Sequence, residues 1–583
     1  MTTTEARPEG RIAAFRSGLR ESGGYFRALS VAVAVITGLL ILYPLGRILI
    51  RLFFVDGGFN FDAFTNVLAL DGLGKLIFNT LALVIAGGGL ALLVGSVLAW
   101  LNERTDARVG VLTDALPMIP FIMPVIAAAI GWVMLLAPRA GMLNYWIRQV
   151  LEVVGINLER GPFDIFTWYG LIFVYALYLV PYPYLLVSAG LRNLDPSLEE
   201  QSRVCGASMM RTLFRVTIPN VWQNIAGAGL IVATIGFAMI SAPIIIGTTA
   251  GIDVISVRIV RLLSFSFPAQ TAEAVGLSLF VLIALVLIWR VQARLIKGGR
   301  FATVGGKSAR GRRIELGKWK WPARMLIFGY VFLALVLPVV GLMLTALNGF
   351  WTATIDYGSL DLDAFREVLA AKSGTRRAIN NSVFLGIFGA TIGITISAII
   401  SVWIQRTRTK FSTFVDGVVK LPAAISGLIL AVGFILAFAG PPFRLSGTLM
   451  ILLLAFLATH MPNGSISADA AAAQVGNDLL EASDVSGASY WRTFRKVSMP
   501  IMLPGLVAGW ALLFVRYAGD IQAAALLGGT RNPVVGFKIL ELQENGTWAT
   551  LTALAMILTI ITAVVVLLVM LLTRRRTTFR STA

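Results

Sequence analysis

Cysteine and histidine each occur once in 583 residues. The lone Cys205 excludes a disulfide within one chain and any cysteine-based metal site. It reads as a reduced, small filler residue. The lone His460 reads as a helix-end histidine bonded to backbone, with a metal ligand as the competing assignment. No His/Asp/Glu cluster in the sequence offers a cage for a metal ion. Charge is scarce as well: 14% of residues are Asp, Glu, Lys or Arg, against about a quarter in soluble domains, which excludes an ordinary soluble protein. A phosphate-binding loop is missing. Gly305-Gly306-Lys307-Ser308 imitates the end of one, but the pattern needs glycine where Phe301 stands, and no buried strand precedes it. The chain therefore has no visible means of hydrolysing ATP, and no cofactor is expected in it. A cleavable leader is not expected either. The first apolar stretch runs about 25 residues without a small-x-small site before Asp56, longer than a signal core, and reads as an uncleaved span.

What the sequence has in abundance is apolar length. It is 57% hydrophobic, with a mean hydropathy of +0.81. Runs of about 20 apolar residues, enough to cross the hydrocarbon core, recur twelve times. They fall at 29–53, 75–100, 112–137, 168–190, 220–247, 272–295, 323–347, 379–404, 413–439, 446–464, 501–528 and 548–573. Continuous runs of this kind predict an all-α polytopic membrane protein, not a barrel. The tenth runs into His460, Pro462 and Asn463.

Lysine and arginine outnumber the acids 49 to 30, and their placement is one-sided. They cluster in the N-terminal arm (Arg7, Arg11, Arg16, Arg20, Arg27), after the second span (Arg104, Arg108), and in a linker from Arg290 to Lys320. Further groups follow the eighth span (Arg406, Arg408, Lys410) and the twelfth (Arg574–Arg576). With twelve spans all of these lie on one side, which makes that side, and both termini, cytoplasmic. This bias accounts for the basic linker without nucleic acid. Anionic lipid headgroups are its expected neighbours. The expected domains are a basic arm at 1–28, a first membrane domain at 29–296, the linker at 297–322, and a second membrane domain with a basic tail at 323–583.

One polar passage occurs twice. Leu198–Pro219 and Leu479–Pro500 align at an offset of 281 residues without a gap, with eleven of twenty-two positions identical. The shared residues include Glu200/Glu481, Ser202/Ser483, Gly206/Gly487, Ala207/Ala488, Arg211/Arg492, Thr212/Thr493 and Pro219/Pro500. A repeat of this length means two similar domains in one polypeptide. Asp195-Pro196 suits a helix start, with Asp as cap and Pro at the first helical position. Glu199 and Glu200 then meet the positive end of the helix dipole. Gly206 can end the helix in a left-handed conformation. A second short helix follows, with Arg211 and Arg215 on one face, and Pro219 opens the next span. Copy two repeats the plan with Asn477 as cap, then Glu481, Gly487, Arg492, Lys496 and Pro500. The expected product is two short helices joined by a sharp turn on the cytoplasmic membrane surface.

These residues resemble the E-A-A-x-x-x-G motif, with an apolar-x-apolar-Pro ending that starts ten residues after the glycine. That motif marks permease subunits of binding-protein-dependent ABC importers. Here it reads Glu200, Gly206, Val216, Ile218, Pro219 and Glu481, Gly487, Val497, Met499, Pro500. Copy one departs from the pattern at both alanines. The resemblance covers about 75–296 and 375–573. It implies a coupling helix in each half, docked on one of two separate ATPase subunits that bind ATP and magnesium. It also implies an external binding protein that delivers the solute, a bacterial inner-membrane location and a non-catalytic role for this chain. Fused two-domain permeases are similar to ferric-iron-type and thiamine-type importers. Ala250-Gly251-Ile252 before Val257-Arg258, and Glu544-Asn545-Gly546, look more like the iron-type group, which implies Fe³⁺ as cargo. Thiamine, phosphonate, polyamine or an organic anion are the alternatives within the family. An ion-coupled secondary transporter is the alternative outside it.

Other features are paired. Asn79-Thr80 and Asn381-Ser382 begin the second span of each half; Leu116-Pro117 and Leu421-Pro422 begin the third. The stretch Gly141–Trp168 is extra to the first half and suits an interfacial lid or a plain external loop. Charges inside spans are functional candidates by default. Arg516 and Asp520, four apart, can pair on one face, either lining the pathway or bracing helix packing. Their offset-matched residues are Ile235 and Met239. Asn79, Asn381 and Ser241 are further pathway candidates, although buried polar groups also serve simply to join helices.

Overall fold

The computed structural model describes residues 24–580, apart from 298–312, short stretches within 56–66, 109–121 and 265–269, and residues 408, 426 and 489. The arm before Gly24, the Gly305–Ser308 segment and Leu116-Pro117 lie outside the described residues.

The chain is an all-α polytopic membrane protein. Among the described residues, eight helices are long and apolar enough to cross a membrane. The first half comprises α1 (Gly24–Phe53), α2 (Leu73–Arg104), α3 (Val125–Leu136), α4 (Met142–Val153), α5 (Trp168–Leu179), α6 (Pro181–Asn193), α7 (Pro196–Val204), α8 (Met209–Ala238), α9 (Ile255–Ser264) and α10 (Thr271–Lys297). The second comprises, besides the seven-residue helix Asp363–Leu369, α11 (Gly317–Asn348), α12 (Gly374–Thr407), α13 (Lys410–Ala423), α14 (Gly427–Ala439), α15 (Leu449–Ala472), α16 (Asn477–Val485), α17 (Trp491–Ala518), α18 (Gln522–Leu527), α19 (Val535–Glu544) and α20 (Trp548–Arg580). One two-residue hairpin, Phe54–Val55 with Gly58–Phe59, follows α1.

Each of the twelve apolar runs yields helix, but not all yield one straight span. The fourth run bends by 43° between α5 and α6, where Pro181 and Pro183 cannot donate to the ladder. The ninth turns by 101° between α13 and α14, after a 3-10 turn that holds Pro422. The fifth and eleventh runs stop early, at Ala238 and Ala518, and continue as separate short segments, Pro243–Gly247 and α18. The tenth defies its composition: α15 passes through Pro462 without a break.

The halves are interlocked. Tyr330 on α11 donates to Leu177 O on α5 at 3.1 Å, and Tyr178 on α5 donates to Ala334 O on α11 at 2.8 Å. Reciprocally, Arg47 on α1 donates to Leu436 O on α14 at 3.3 Å, and Tyr43 packs edge-on against Phe438. The first helix of each half thus leans on the other half. Only 28% of the α1 apolar window is buried within the protein, against 56% for α15. Helix α1 is therefore a peripheral helix whose remaining apolar surface suits lipid.

The stretch 141–168 contains helix α4, pinned to the end of α3. The buried Asn144 donates to Leu136 O, Ala137 O and Phe163 O at 2.8–3.1 Å and accepts from Phe163 N at 3.2 Å. It is a built unit, not a plain loop. Its exposed apolar residues Trp146, Val150 and Val153 recur at helical spacing.

Candidate functional site: a twice-built surface element and buried polar contacts

The repeated passage folds twice in the same way. Helices α7 and α16 occupy offset-matched residues. Gly206 and Gly487 follow them with φ of +81° and +69°, a region that costs side-chain-bearing residues about 1–2 kcal/mol. Ala207 N donates to Ser202 O at 3.0 Å, and Ala488 N to Ser483 O at 3.1 Å. This pairing of the last carbonyls of a helix is what a left-handed cap provides. Ser202 Oγ lies 3.0 Å from Thr212 Oγ1, and Ser483 Oγ lies 2.8 Å from Thr493 Oγ1. Each pair ties the helix before the glycine to the one after it. These four hydroxyls are not among the residues the motif singles out, although their identity in both copies was the available signal.

Two expectations are corrected. The second short helix is not separate from the next span: α8 and α17 run on through Pro219 and Pro500. A π-helical turn at Leu213–Thr217 and Phe494–Ser498 makes this possible. There Ile218 N bonds Leu213 O and Met499 N bonds Phe494 O, so the widened turn makes room for a ring that would strike a regular ladder. Asn477 is not the cap. It takes the first helical position, matching Pro196, and Gly476 stands where Asp195 caps α7 through Ser197 N at 2.9 Å.

Between them the two elements present apolar side chains to the outside. Val204 and Val485, at matched positions, are 87% and 90% exposed. Leu198 and Leu479, and Met210 and Trp491, are exposed at matched positions too. Arg211, Arg492, Glu481, Pro219 and Pro500 are exposed around them, while Glu200, Ala207 and Ala488 are half-buried. Cys205 is exposed beside Val204, not a packed filler. A rigid, repeated, apolar-centred surface with a charged rim has the make-up of a protein-binding face.

The intramembrane candidates separate into two groups. Asn79 donates to Asp253 O at 2.9 Å and Asn381 to Pro533 O at 2.8 Å. Their neighbours Thr80 and Ser382 accept from Ile255 N at 3.0 Å and Val535 N at 2.9 Å. In each half the pair therefore fastens the loop that leads into α9 or α19, which is a helix-joining role. Ser241 is half-buried at the break after Ala238. Its matched residue, Gln522, donates to Ala238 O across the halves at 2.6 Å.

Arg516 and Asp520 have partners outside their own pair. Arg516 donates to Tyr182 Oη, in the first half, at 2.5 Å. Asp520 meets His460 Nε2 at 3.0 Å and accepts from Ala523 N at 2.8 Å. His460 is thus no backbone-bonded helix end. It sits inside α15, with its side chain 12% exposed against 5% for Asp520. Among the described residues no group of three or more His, Cys, Asp or Glu is placed to hold a metal ion.

Residues 87–297 and 389–577 match the family described as "Binding-protein-dependent transport system inner membrane component". The chain belongs to that family. Both copies of the repeated element lie inside the matched segments of this permease. The "Ferric transport system permease protein FbpB" of Actinobacillus pleuropneumoniae is 23% identical over 537 residues, 91% of this permease and 76% of that protein. A putative ferric transport system permease protein FbpB 1 of Haemophilus influenzae is 23% identical, covering 84% and 75%. A putative 2-aminoethylphosphonate transport system permease protein PhnV of Salmonella typhimurium is 24% identical over 39% of this permease and 84% of that protein. A solved bacterial ABC transporter involved in alginate import aligns with 44% of the permease and 96% of its own chain, at 20% identity and a TM-score of 0.36.

Proposed function

We propose that this permease forms the translocation pathway of an ABC importer in a bacterial inner membrane. Its domains are the arm, the two membrane halves and the linker bounded above, with both termini cytoplasmic. Two ATPase subunits, which bind the ATP and magnesium, engage Leu198–Val216 and Leu479–Val497. An external binding protein delivers the cargo. The observation that carries this reading is the twice-built element, with a left-handed glycine and an almost fully exposed valine at matched positions. Closure of the ATPase dimer moves both elements together. Because the part of each element after its glycine is the first stretch of α8 or α17, that motion reaches the membrane and opens the cavity outward; hydrolysis returns it inward.

Ferric ion is the proposed cargo, supported by relatives whose names are ferric transport permeases and that cover most of the chain. Phosphonate is the second reading, supported by relatives that match one half. A permease need bind cargo only weakly when a receptor selects it. The test is ATPase activity of the chain in lipid, alone and with its ATPase subunits, for wild type and for Gly206→Asp with Gly487→Asp. Activity confined to the complex, raised by loaded receptor and lost with assembly in the double variant, is the expected result. Transport on an ion gradient without ATPase subunits would sink the proposal. Receptor binding of Fe³⁺ against 2-aminoethylphosphonate then separates the two cargoes.

A further inference from the structure

We infer that Glu199, one residue before the motif glutamate, is a positioning residue that passes force from the first docking element into the membrane, and that the second element does so by apolar contact instead. The inference rests on the ATPase-docking reading above.

Glu199 is the buried acid of α7. Its Oε2 lies 3.2 Å from Arg104 Nε, with the two side chains 5% and 11% exposed. Its Oε1 accepts from Thr217 Oγ1 at 2.5 Å. Arg104 in turn donates from Nη2 to Leu191 O at 2.8 Å and Leu194 O at 3.1 Å. One carboxylate and one guanidinium thus join four elements: the docking helix α7, the last residue of α2, the end of α6 and the π turn at the base of α8. A buried, multiply bonded ion pair resists displacement of either partner, because separating them strands a charge. Any push on α7 is therefore shared with α2, α6 and α8 together.

The second element has Leu480 at the position of Glu199 and Ser498 at that of Thr217. It is joined to the membrane through rings. Phe26 of α1 lies 5.2 Å from Phe494 and 6.2 Å from Trp491, and those two stack at 5.8 Å. Met210 and Leu213 stand at the matched positions of the first element. One joint is ionic and internal to its half; the other is aromatic and recruits the first helix of the opposite half.

The test uses the complete complex with receptor, in lipid, and reads two quantities: co-purification of ATPase subunits and cargo moved per ATP hydrolysed. Glu199 is only 4% exposed and lies behind the face that the ATPase subunit engages, so Glu199→Leu, which copies the second element, is expected to assemble like wild type but to move about tenfold less cargo per ATP. Glu199→Leu with Arg104→Leu removes the stranded charge and is expected to recover to within about threefold of wild type. A Glu199→Leu complex with the wild-type ratio overturns the inference. So does one that fails to assemble as the Gly206→Asp, Gly487→Asp variant does, because Glu199 would then only shape the surface. Should wild type itself not bind ATPase subunits, the docking reading fails first and is identified as the cause.

Discussion

The two halves share their scaffold and differ in the chemistry laid over it. Where a side chain fastens the loop before α9 or α19, and where a glycine closes the short helix, the halves agree: Asn79 and Asn381, Thr80 and Ser382, Gly206 and Gly487 do the same work at matched places. Wherever charge is buried, they part. The first half keeps its buried pair, Glu199 with Arg104, between α7 and the end of α2. The second has one within its spans, Asp520 with His460, where the first has Met239 and Leu179. Backbone satisfaction is obligatory for any copy of the fold. A buried ion pair is optional, since apolar residues of similar size replace it at little cost.

The largest expected effect comes from breaking the asymmetric part. Asp520→Ala strands His460 and the Ala523 N–H and should cost about 1–3 kcal/mol, read as a lower unfolding temperature of the purified protein. Met239→Leu, which keeps the apolar volume at the matched position, should cost less, under about 1.5 kcal/mol. Equal losses would mean that the Asp520–His460 contact contributes nothing. Next are the glycines. Gly206→Ala and Gly487→Ala should each cost about 1–2 kcal/mol at their left-handed backbone and weaken ATPase co-purification to the same degree. A large inequality between them would argue that the two surfaces are not loaded alike. Asn79→Ala and Asn381→Ala come third, at about 0.5–1.5 kcal/mol each. Hydrogen exchange should quicken at 253–255 in one variant and at Val534 and Val535 in the other, and exchange spreading into the opposite half would contradict the local role.

The smallest effect separates the two helix caps by pH. The Ser197 N–H holds the exposed Asp195 carboxyl below the ordinary aspartate range. A lowered folded value means that the cap contributes fully above the unfolded value of about 3.9 and fades as pH falls through the folded one. Gly476 has nothing to protonate. Intrinsic-rate-corrected exchange at the start of α7 should therefore rise below about pH 4, with no matching rise at the start of α16. Parallel behaviour of the two helices would show that the Asp195 cap is not what distinguishes them.

Much of this was legible without coordinates. Every apolar run became helix because hydrocarbon leaves the backbone no other way to satisfy itself. Gly206 and Gly487 announced a left-handed cap because a repeated glycine at a helix end has few other uses. Prolines were less legible. Pro181 and Pro422 mark bends, whereas Pro462, Pro219 and Pro500 lie in continuing helices, because neighbouring turns and packed helices absorb the missing donor. The distant partners of the charges were not legible. The four-residue spacing placed Arg516 and Asp520 within reach of each other, and the Asp520 charge does act on Arg516, but nothing local showed that Arg516 reaches Tyr182, 334 residues away, or that Asp520 reaches His460, 60 residues away.

The sequence by itself determined the class of the protein, its two halves and the position of both repeated elements, because composition and local repeats are properties of the chain. Tertiary structure alone decided which buried charge meets which, and that the first helix of each half crosses to lean on the other. Partners far apart in sequence are chosen by how helices pack, and nothing local to either partner encodes that choice.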